Sequence, residues 1–343
     1  MKLRVINIRL RERLQSAGLL LILAISLTSL LLVSCNPFRR SAPVNSTKVV
    51  LRLPWVFNIE SAGILVAKEK GLYANKGIDL QIQPGGIGLN PAQLVGGGNE
   101  DIGIIDGAGF VIARSKGLPI KAVAAEYQKS PFCYITLSES GIVSVDQFRG
   151  KRIGTQNISI YVLEAALANK GMVLNDVKMV PVQFDATPLV TKQVDAYLGF
   201  ITDQPISLQL QGVKTNVIPL SDNGYSLYGN VIFAKESTLN SSPTLIKDFL
   251  DATFEGWRLA FQDIPGTAAM IKEKYNSELN VDQQRLGLER IKDIMIGSDG
   301  LAQLGQMDKD RWATGTDLLL RYKQIENPIL ADDIVWDLGY VKK

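Results

Sequence analysis

Trp55, Asn58 and Glu60 lie within six residues of one another, directly after the apolar run 49–53. An indole offers a flat face for stacking, and a carboxamide and a carboxylate can pair with the donors and acceptors at the edge of a heterocycle. The same trio also suits a half-buried tryptophan with two solvated neighbours. Gly85, inside the break Pro84-Gly85-Gly86, either admits a ligand close to backbone or simply turns the chain. Asp106 follows the apolar run 102–105 and precedes Gly107-Ala108-Gly109, where an acid either accepts from a ligand amine or caps the next helix. Gln128 ends the polar group Glu126-Tyr127-Gln128. In the second half, Thr155, Gln156 and Asn157 precede a stretch carrying Tyr161. Free amides at such a helix start attract an anion or carbonyl, unless the polar side chains only cap it. Thr202 and Asp203 stand before Gln204-Pro205, where proline opens a helix. Tyr225, Tyr228 and Asn230 form an aromatic and polar cluster that either closes over a ring or packs a hinge.

Other chemistries are excluded by residue type. The chain contains no histidine, which removes Ser-His-Asp and Cys-His dyads and histidine-ligated metals together. Its two cysteines, Cys35 and Cys133, support neither a disulfide framework nor a cysteine-rich metal site, and Cys133 opens an apolar run as a buried thiol would. No phosphate-binding glycine loop, dinucleotide fingerprint or nucleophile elbow is present. No cofactor, metal or catalytic residue is expected. The formal charge of +3 comes from the N-terminus: five of the 37 basic residues and one of the 34 acids occupy the first 15 positions, so the remainder is near neutral. Nothing in that remainder resembles a nucleic-acid footprint.

The cationic stretch 1–15, the apolar run 17–33 and the ending Leu32-Val33-Ser34-Cys35 have the three-part layout of a secretory signal. The ending resembles a bacterial lipobox, with Cys35 as the lipid-modified first residue of the mature chain; a single membrane anchor is the competing explanation. Residues 36–47 are polar and rich in Pro and Ser, as a tether would be. The expected location is the cell envelope, outside the cytoplasm.

From residue 48 onward, apolar runs alternate with amphipathic stretches of about ten residues. Strands are expected at 49–53, 79–83, 101–105, 120–125, 133–138, 152–154, 178–183, 195–199 and 215–219. The intervening helices include 62–70, 91–95, 110–116, 160–170, 187–193 and 204–211. Such alternation predicts α/β architecture with parallel, doubly wound sheets. After residue 231 the pattern becomes helical, at 243–261, 264–275, 281–294 and 308–324. Two α/β sets and a helical tail predict one lobe from 48–130 plus 229–343 and another from 131–228, with the chain crossing twice. In open α/β sheets a ligand sits beyond the carboxyl ends of the strands, and that rule selects the residues named above.

The stretch from Trp55 through Glu60-Ser61-Ala62-Gly63 to Lys70-Gly71-Leu72-Tyr73 and Lys76-Gly77-Ile78-Asp79-Leu80 resembles a known family. The likeness continues through Leu94-Val95-Gly96-Gly97-Gly98, Ala113-Arg114-Ser115-Lys116-Gly117-Leu118-Pro119, Gln128-Lys129-Ser130-Pro131, Phe148-Arg149-Gly150-Lys151-Arg152-Ile153-Gly154 and Val194-Asp195-Ala196-Tyr197. The family is that of substrate-binding proteins of bacterial ABC importers, in the branch related to thiamine-pyrimidine synthases and to alkanesulfonate-, pyrimidine- and riboflavin-binding proteins. The resemblance covers roughly residues 50–260. It implies a type II periplasmic-binding-protein fold whose two lobes close by a hinge on a small molecule and then dock on a membrane permease, as a monomer without catalysis.

The candidate residues are rich in aromatic groups, amides and acids and hold no arginine clamp. They therefore favour a planar heteroaromatic, a pyrimidine thiamine precursor or riboflavin, over an alkanesulfonate or taurine. The fungal pyrimidine synthases that share this fold use an active-site histidine and a cysteine-rich motif, which this chain lacks. A solute sensor acting without a permease remains the third alternative.

Overall fold

A computed structural model describes residues 46–296 and 300–342. The expected signal segment 1–34, the proposed lipidation site Cys35 and most of the expected tether lie outside the described residues. Among the described residues, ten strands form two five-stranded mixed sheets. The first has the order β2-β1-β3-β10-β4, from β1 (Thr47–Arg52), β2 (Ile78–Gln83), β3 (Ile102–Ile105), β4 (Ile120–Ala125) and β10 (Val231–Lys235). The second has the order β7-β6-β8-β5-β9, from β5 (Phe132–Leu137), β6 (Arg152–Thr155), β7 (Lys178–Pro181), β8 (Ala196–Phe200) and β9 (Thr215–Pro219). In each sheet the first strand of a βαβ set lies between the second and third, so the two sheets share one topology.

The expectation of purely parallel sheets needs a correction. β10 runs antiparallel to β3 and β4, and β5 runs antiparallel to β8 and β9. The reason is connectivity. β4 ends at the carboxyl edge of its sheet, and the chain passes through 126–131 straight into the other lobe, entering that sheet from its own carboxyl edge. β9 returns the chain through 220–230 in the same way. A strand entering from that edge must run against its neighbours. Both crossovers therefore lie where the carboxyl edges face each other.

Packing fixes these edges. The Ala62–Glu69 and Pro243–Gln262 helices cover one face of the first sheet, with Ile64, Leu65, Phe249, Phe254 and Trp257 fully buried. Their close approach depends on two glycines. A Cβ on Gly63 would sit 2.2 Å from the Trp257 ring, and one on Gly256 would sit 2.1 Å from the Gly63 carbonyl oxygen. A second apolar cluster is continuous from Phe110 and Phe233 through Leu227 and Tyr228 to Tyr134 and Phe148 of the other lobe. The tail helix Lys309–Arg321 adds Trp312 to it. Its Arg311 guanidinium donates to the Ser226, Leu227 and Gln128 carbonyl oxygens and stacks 4.0 Å from the Tyr228 ring. One side chain of the tail thus ties both crossovers together. Among the described residues, no helix is long and apolar enough to cross a membrane.

Candidate functional site

Between the carboxyl edges lies a cavity of about 510 Å³. That volume suits a small ring system. The loop after β1 brings Trp55, Asn58 and Glu60 to it. Gly85 donates its N–H to the Trp55 carbonyl oxygen at 2.9 Å, and a Cβ there would meet the Pro54 backbone at 2.4 Å. This glycine therefore supports the tryptophan loop, while its neighbour Gly86 lines the cavity. Across the cleft, Phe184 from the segment after β7 meets Trp55 with ring centroids 4.6 Å apart and planes inclined by 49°. Each lobe thus contributes one half-buried aromatic ring to the same contact.

Asp106 caps the Gly107–Ser115 helix, its Oδ1 accepting from the Gly109 N–H at 2.9 Å. The helix begins three residues before the expected start because of this cap. Its other oxygen accepts from the Tyr161 hydroxyl at 2.9 Å, so Asp106 both caps and links the lobes. Of the two explanations weighed for this acid, the cap is present, and its second oxygen is taken up by Tyr161. Tyr161 stands on the Ile160–Ala168 helix behind a short turn over Asn157–Ser159. Ahead of that turn, Gln156 donates to the Leu198 carbonyl oxygen at 3.0 Å and packs at the cavity wall.

Asp203 lines the cavity from the second lobe. It does not cap the Gln204–Leu210 helix that it precedes; it accepts from the side chains of Gln204 and of Gln283 on the tail helix Val281–Ile296. Asn230, beside the return crossover, completes the floor and donates from Nδ2 to Glu126 Oε2 at 3.3 Å. Glu126 is fully buried and also accepts from the Trp257 indole N–H at 3.0 Å.

These acids sit in an unusual field. Burial, then the charges of Asp203 and Glu126, push the Glu60 carboxyl up to about 8 against a lowering hydrogen bond from Asn58. Burial pushes Glu126 up to about 7, and raises Asp106 and Asp203. No lysine or arginine occurs among the described residues that line the cavity. The site therefore offers carboxyl groups held toward their protonated form, Glu60 able to donate as well as accept near neutrality, framed by aromatic and aliphatic walls that include Ile105, Phe132, Ile158 and Phe200.

Of the residues expected at a ligand, Trp55, Asn58, Glu60, Asp106, Tyr161, Asp203 and Asn230 meet at this cavity. The others lie elsewhere. Thr155 is buried within its lobe, and Thr202 is buried against the Val281–Ile296 tail helix, where a Cβ on Gly287 would come 2.6 Å from its carbonyl oxygen. Gln128 donates from its side chain to the Gln306 carbonyl oxygen at 2.8 Å. Tyr225 packs edge-on against Phe132, and the Tyr228 hydroxyl accepts from the Asp308 N–H at 2.7 Å. Phe184, Phe200, Ser159 and Asn90 line the cavity without having been singled out as ligand contacts. Phe184 and Phe200 follow or end carboxyl-edge strands, so the strand-end rule already contained the signal for both.

The chain is 30% identical over 215 residues to the riboflavin-binding protein RibY of Chloroflexus aurantiacus, a span of 61% of each chain. It is 27% identical over 215 residues to a 4-amino-5-hydroxymethyl-2-methylpyrimidine phosphate synthase of Legionella pneumophila, covering 61% of this chain and 68% of that protein. With the formylaminopyrimidine-binding protein of Halalkalibacterium halodurans it shares 23% identity over 322 residues, 91% of this chain and 96% of the relative. Among solved structures, the alkanesulfonate-binding protein SsuA from Xanthomonas axonopodis pv. citri, bound to MOPS, superposes with a TM-score of 0.65 at 15% identity. That match covers 86% of this chain and all of the other. The likeness establishes the α/β periplasmic-binding-protein fold. A family described as NMT1/THI5 like matches residues 58–266, more than half of the sequence, and this chain belongs to it.

Proposed function

We propose that this protein is an extracytoplasmic receptor of an ABC importer that captures a planar heteroaromatic solute bearing N–H donors, in the class of pyrimidine thiamine precursors or riboflavin. The observation that carries this reading is the lining itself. Trp55 and Phe184 supply stacking surface from opposite lobes, and Glu60, Asp106 and Asp203 supply acceptors, with no cation among the described lining residues. An amino or ring N–H group satisfies buried acceptors. A sulfonate brings only acceptors and a full negative charge, and the described lining residues include no lysine or arginine to pair with it. The relatives named as riboflavin- and formylaminopyrimidine-binding proteins support the same ligand class.

Capture proceeds by closure. A ligand that touches both edges favours the closed state by its differential affinity for it. Asp106–Tyr161 and Trp55–Phe184 are the interlobe contacts such closure makes. Turnover is not part of this reading. The chain has no histidine, and Cys133 is buried with its thiol pushed up by burial, far from nucleophilic character. The receptor acts as a monomer that hands its solute to permease subunits, held to the membrane through Cys35.

A thermal-shift screen of the purified chain against formylaminopyrimidine, 4-amino-5-hydroxymethyl-2-methylpyrimidine, riboflavin and taurine tests the ligand class. Stabilisation by at least one heteroaromatic compound, recovered unchanged, is expected. Stabilisation by taurine alone, or conversion of the bound compound, overturns the reading. Labelling of wild type but not Cys35→Ser with a fatty-acid analogue tests the anchor.

A further inference from the structure

We propose that Glu126 is a positioning residue that sets the hydrogen-bond polarity Asn230 shows to the ligand: ionised Glu126 turns the Asn230 carbonyl oxygen into the cavity, and protonated Glu126 turns its NH2 group there. The inference rests on the cavity being the solute site. Its foundation is a buried relay of three side chains. Trp257 donates its indole N–H to Glu126 Oε1 at 3.0 Å, Asn230 Nδ2 donates to Glu126 Oε2 at 3.3 Å, and Asn230 lines the cavity. Glu126 itself is fully buried and 2.8 Å separates its backbone N from the Asn230 carbonyl oxygen, so the two residues cannot drift apart.

An indole N–H is only ever a donor, so Oε1 always faces a donor. An ionised carboxylate needs a second donor at Oε2, which the Asn230 NH2 supplies; its Oδ1 then faces the cavity, where no side chain or backbone donor among the described residues reaches it. A proton taken from solvent resides on Oε2, because Oε1 faces no acceptor. The new O–H needs an acceptor, and Asn230 provides one by turning its amide over, which presents NH2 to the ligand. The titratable groups acting around Glu126 are Glu60, Tyr73 and Tyr127, all acids. Of these, Tyr73 is engaged by Thr253 Oγ1 at 2.7 Å, and the Tyr127 hydroxyl donates to the Glu60 carbonyl oxygen at 3.0 Å. Burial pushes the Glu126 carboxyl up to about 7, which places the two states on either side of neutrality.

The consequence is a proton-dependent choice between ligand edges. Above neutrality the site prefers a ring bearing an amino group opposite Asn230; below it, a ring bearing a carbonyl there. Glu126→Gln imitates the protonated state, since its carboxamide oxygen faces Trp257 and its NH2 faces Asn230.

The test has two parts on the full chain. In ligand-free protein, the Trp257 indole and Asn230 carboxamide NMR signals, assigned with Trp257→Phe and Asn230→Asp, are followed from about pH 5.5 to 9. Both should titrate together near neutrality in wild type and stay flat in Glu126→Gln. In the second part, 4-aminopyrimidine and pyrimidin-4-one are titrated as a donor and acceptor pair. Glu60 lines the same cavity and titrates in the same range, turning from donor to acceptor, so both titrations are made in a Glu60→Gln background and the ratio of the two affinities is the readout. It should tilt toward the amino compound by roughly tenfold on raising the pH, and be low and pH-independent in Glu126→Gln. Flat indole and amide signals in wild type overturn the inference, as does a constant ratio while those signals titrate. Should neither compound bind at any pH, the heteroaromatic reading falls instead, and the Asn230 amide signals still decide the switch.

Discussion

Removing the Trp55 ring separates a cleft residue from a core residue by magnitude. Trp55 is half-buried and its one aromatic partner, Phe184, belongs to the other lobe. Trp55→Ala loses that pair, worth about 0.5–1.5 kcal/mol, together with a fraction of the indole's burial. The space left opens into the cavity, so no sealed void is added. The folding cost is therefore about 1–2 kcal/mol, a melting decrease of roughly 2–3 °C at this chain length. A ligand stacked on the indole loses about 1–3 kcal/mol of binding, a range taken from base–aromatic stacking, which is roughly five- to more than a hundredfold in affinity. Trp257 is the control. It is fully buried, packs against Gly63 and donates to Glu126. Trp257→Ala leaves a closed void and an unpaired acceptor, and should cost about 3–5 kcal/mol of stability. Calorimetric titration with the best compound from the thermal-shift screen, combined with melting curves, measures both quantities. Phe184→Ala extends the comparison, and the double variant should lose less than the sum because both rings contact one guest. Unchanged affinity in Trp55→Ala beside a collapsed melting temperature would refute the reasoning, since it would make Trp55 a structural residue.

Three further outcomes follow from the geometry. Glu60 and Glu126 have raised folded-state pKa values, so the stability they contribute is complete at acid pH and is lost as pH rises toward 8. The melting temperature of ligand-free protein should accordingly fall between pH 5 and 9, and Glu60→Gln should flatten part of that fall; identical curves for both proteins would contradict the assignment. Gly63→Ala drives a methyl into the Trp257 ring at a helix crossing and should destabilise by about 1–3 kcal/mol, read by urea denaturation, whereas Gly117→Ala or a similar change at an exposed turn tests only backbone strain. Tyr161→Phe removes the interlobe hydroxyl from Asp106 and should weaken binding of the same ligand by roughly tenfold, with little change in melting; a large loss of stability at unchanged affinity would remove Tyr161 from the closure contacts.

Where the sequence was most readable, one physical rule was at work. Strand-to-helix turns at the carboxyl edge placed Trp55, Asn58, Glu60, Asp106 and Asp203 at the cavity, because backbone geometry alone sends such turns there. Thr155 and Thr202 obeyed the same rule in position but not in direction. Thr155 ends β6, where one residue of register decides whether a side chain faces cavity or core, and Thr202 lies in the turn after β8, packed against the tail helix; composition carries no sign of either choice. Gly85 was read as either room for a ligand or a simple turn, and the space its missing Cβ leaves is taken by the Leu53 and Pro54 backbone, a contact between segments some thirty residues apart. Strand direction was likewise hidden: β5 and β10 resemble their parallel neighbours in composition, and only the crossovers reverse them. The tail helices supply Gln283 to Asp203, Arg311 to the crossovers and Trp257 to Glu126. Helical periodicity announced those helices, but not which lobe each would brace.

The most direct measurement is a crystal structure of the protein with the heteroaromatic compound that stabilises it most. The account predicts the ring between the two sheets, against Trp55 or Phe184, with its N–H groups within about 3.2 Å of carboxylate oxygens of Glu60, Asp106 or Asp203 and contacts to both lobes. A ligand seated on one lobe away from these acids, or a sulfonate held in this cavity in preference to the ring, would contradict it.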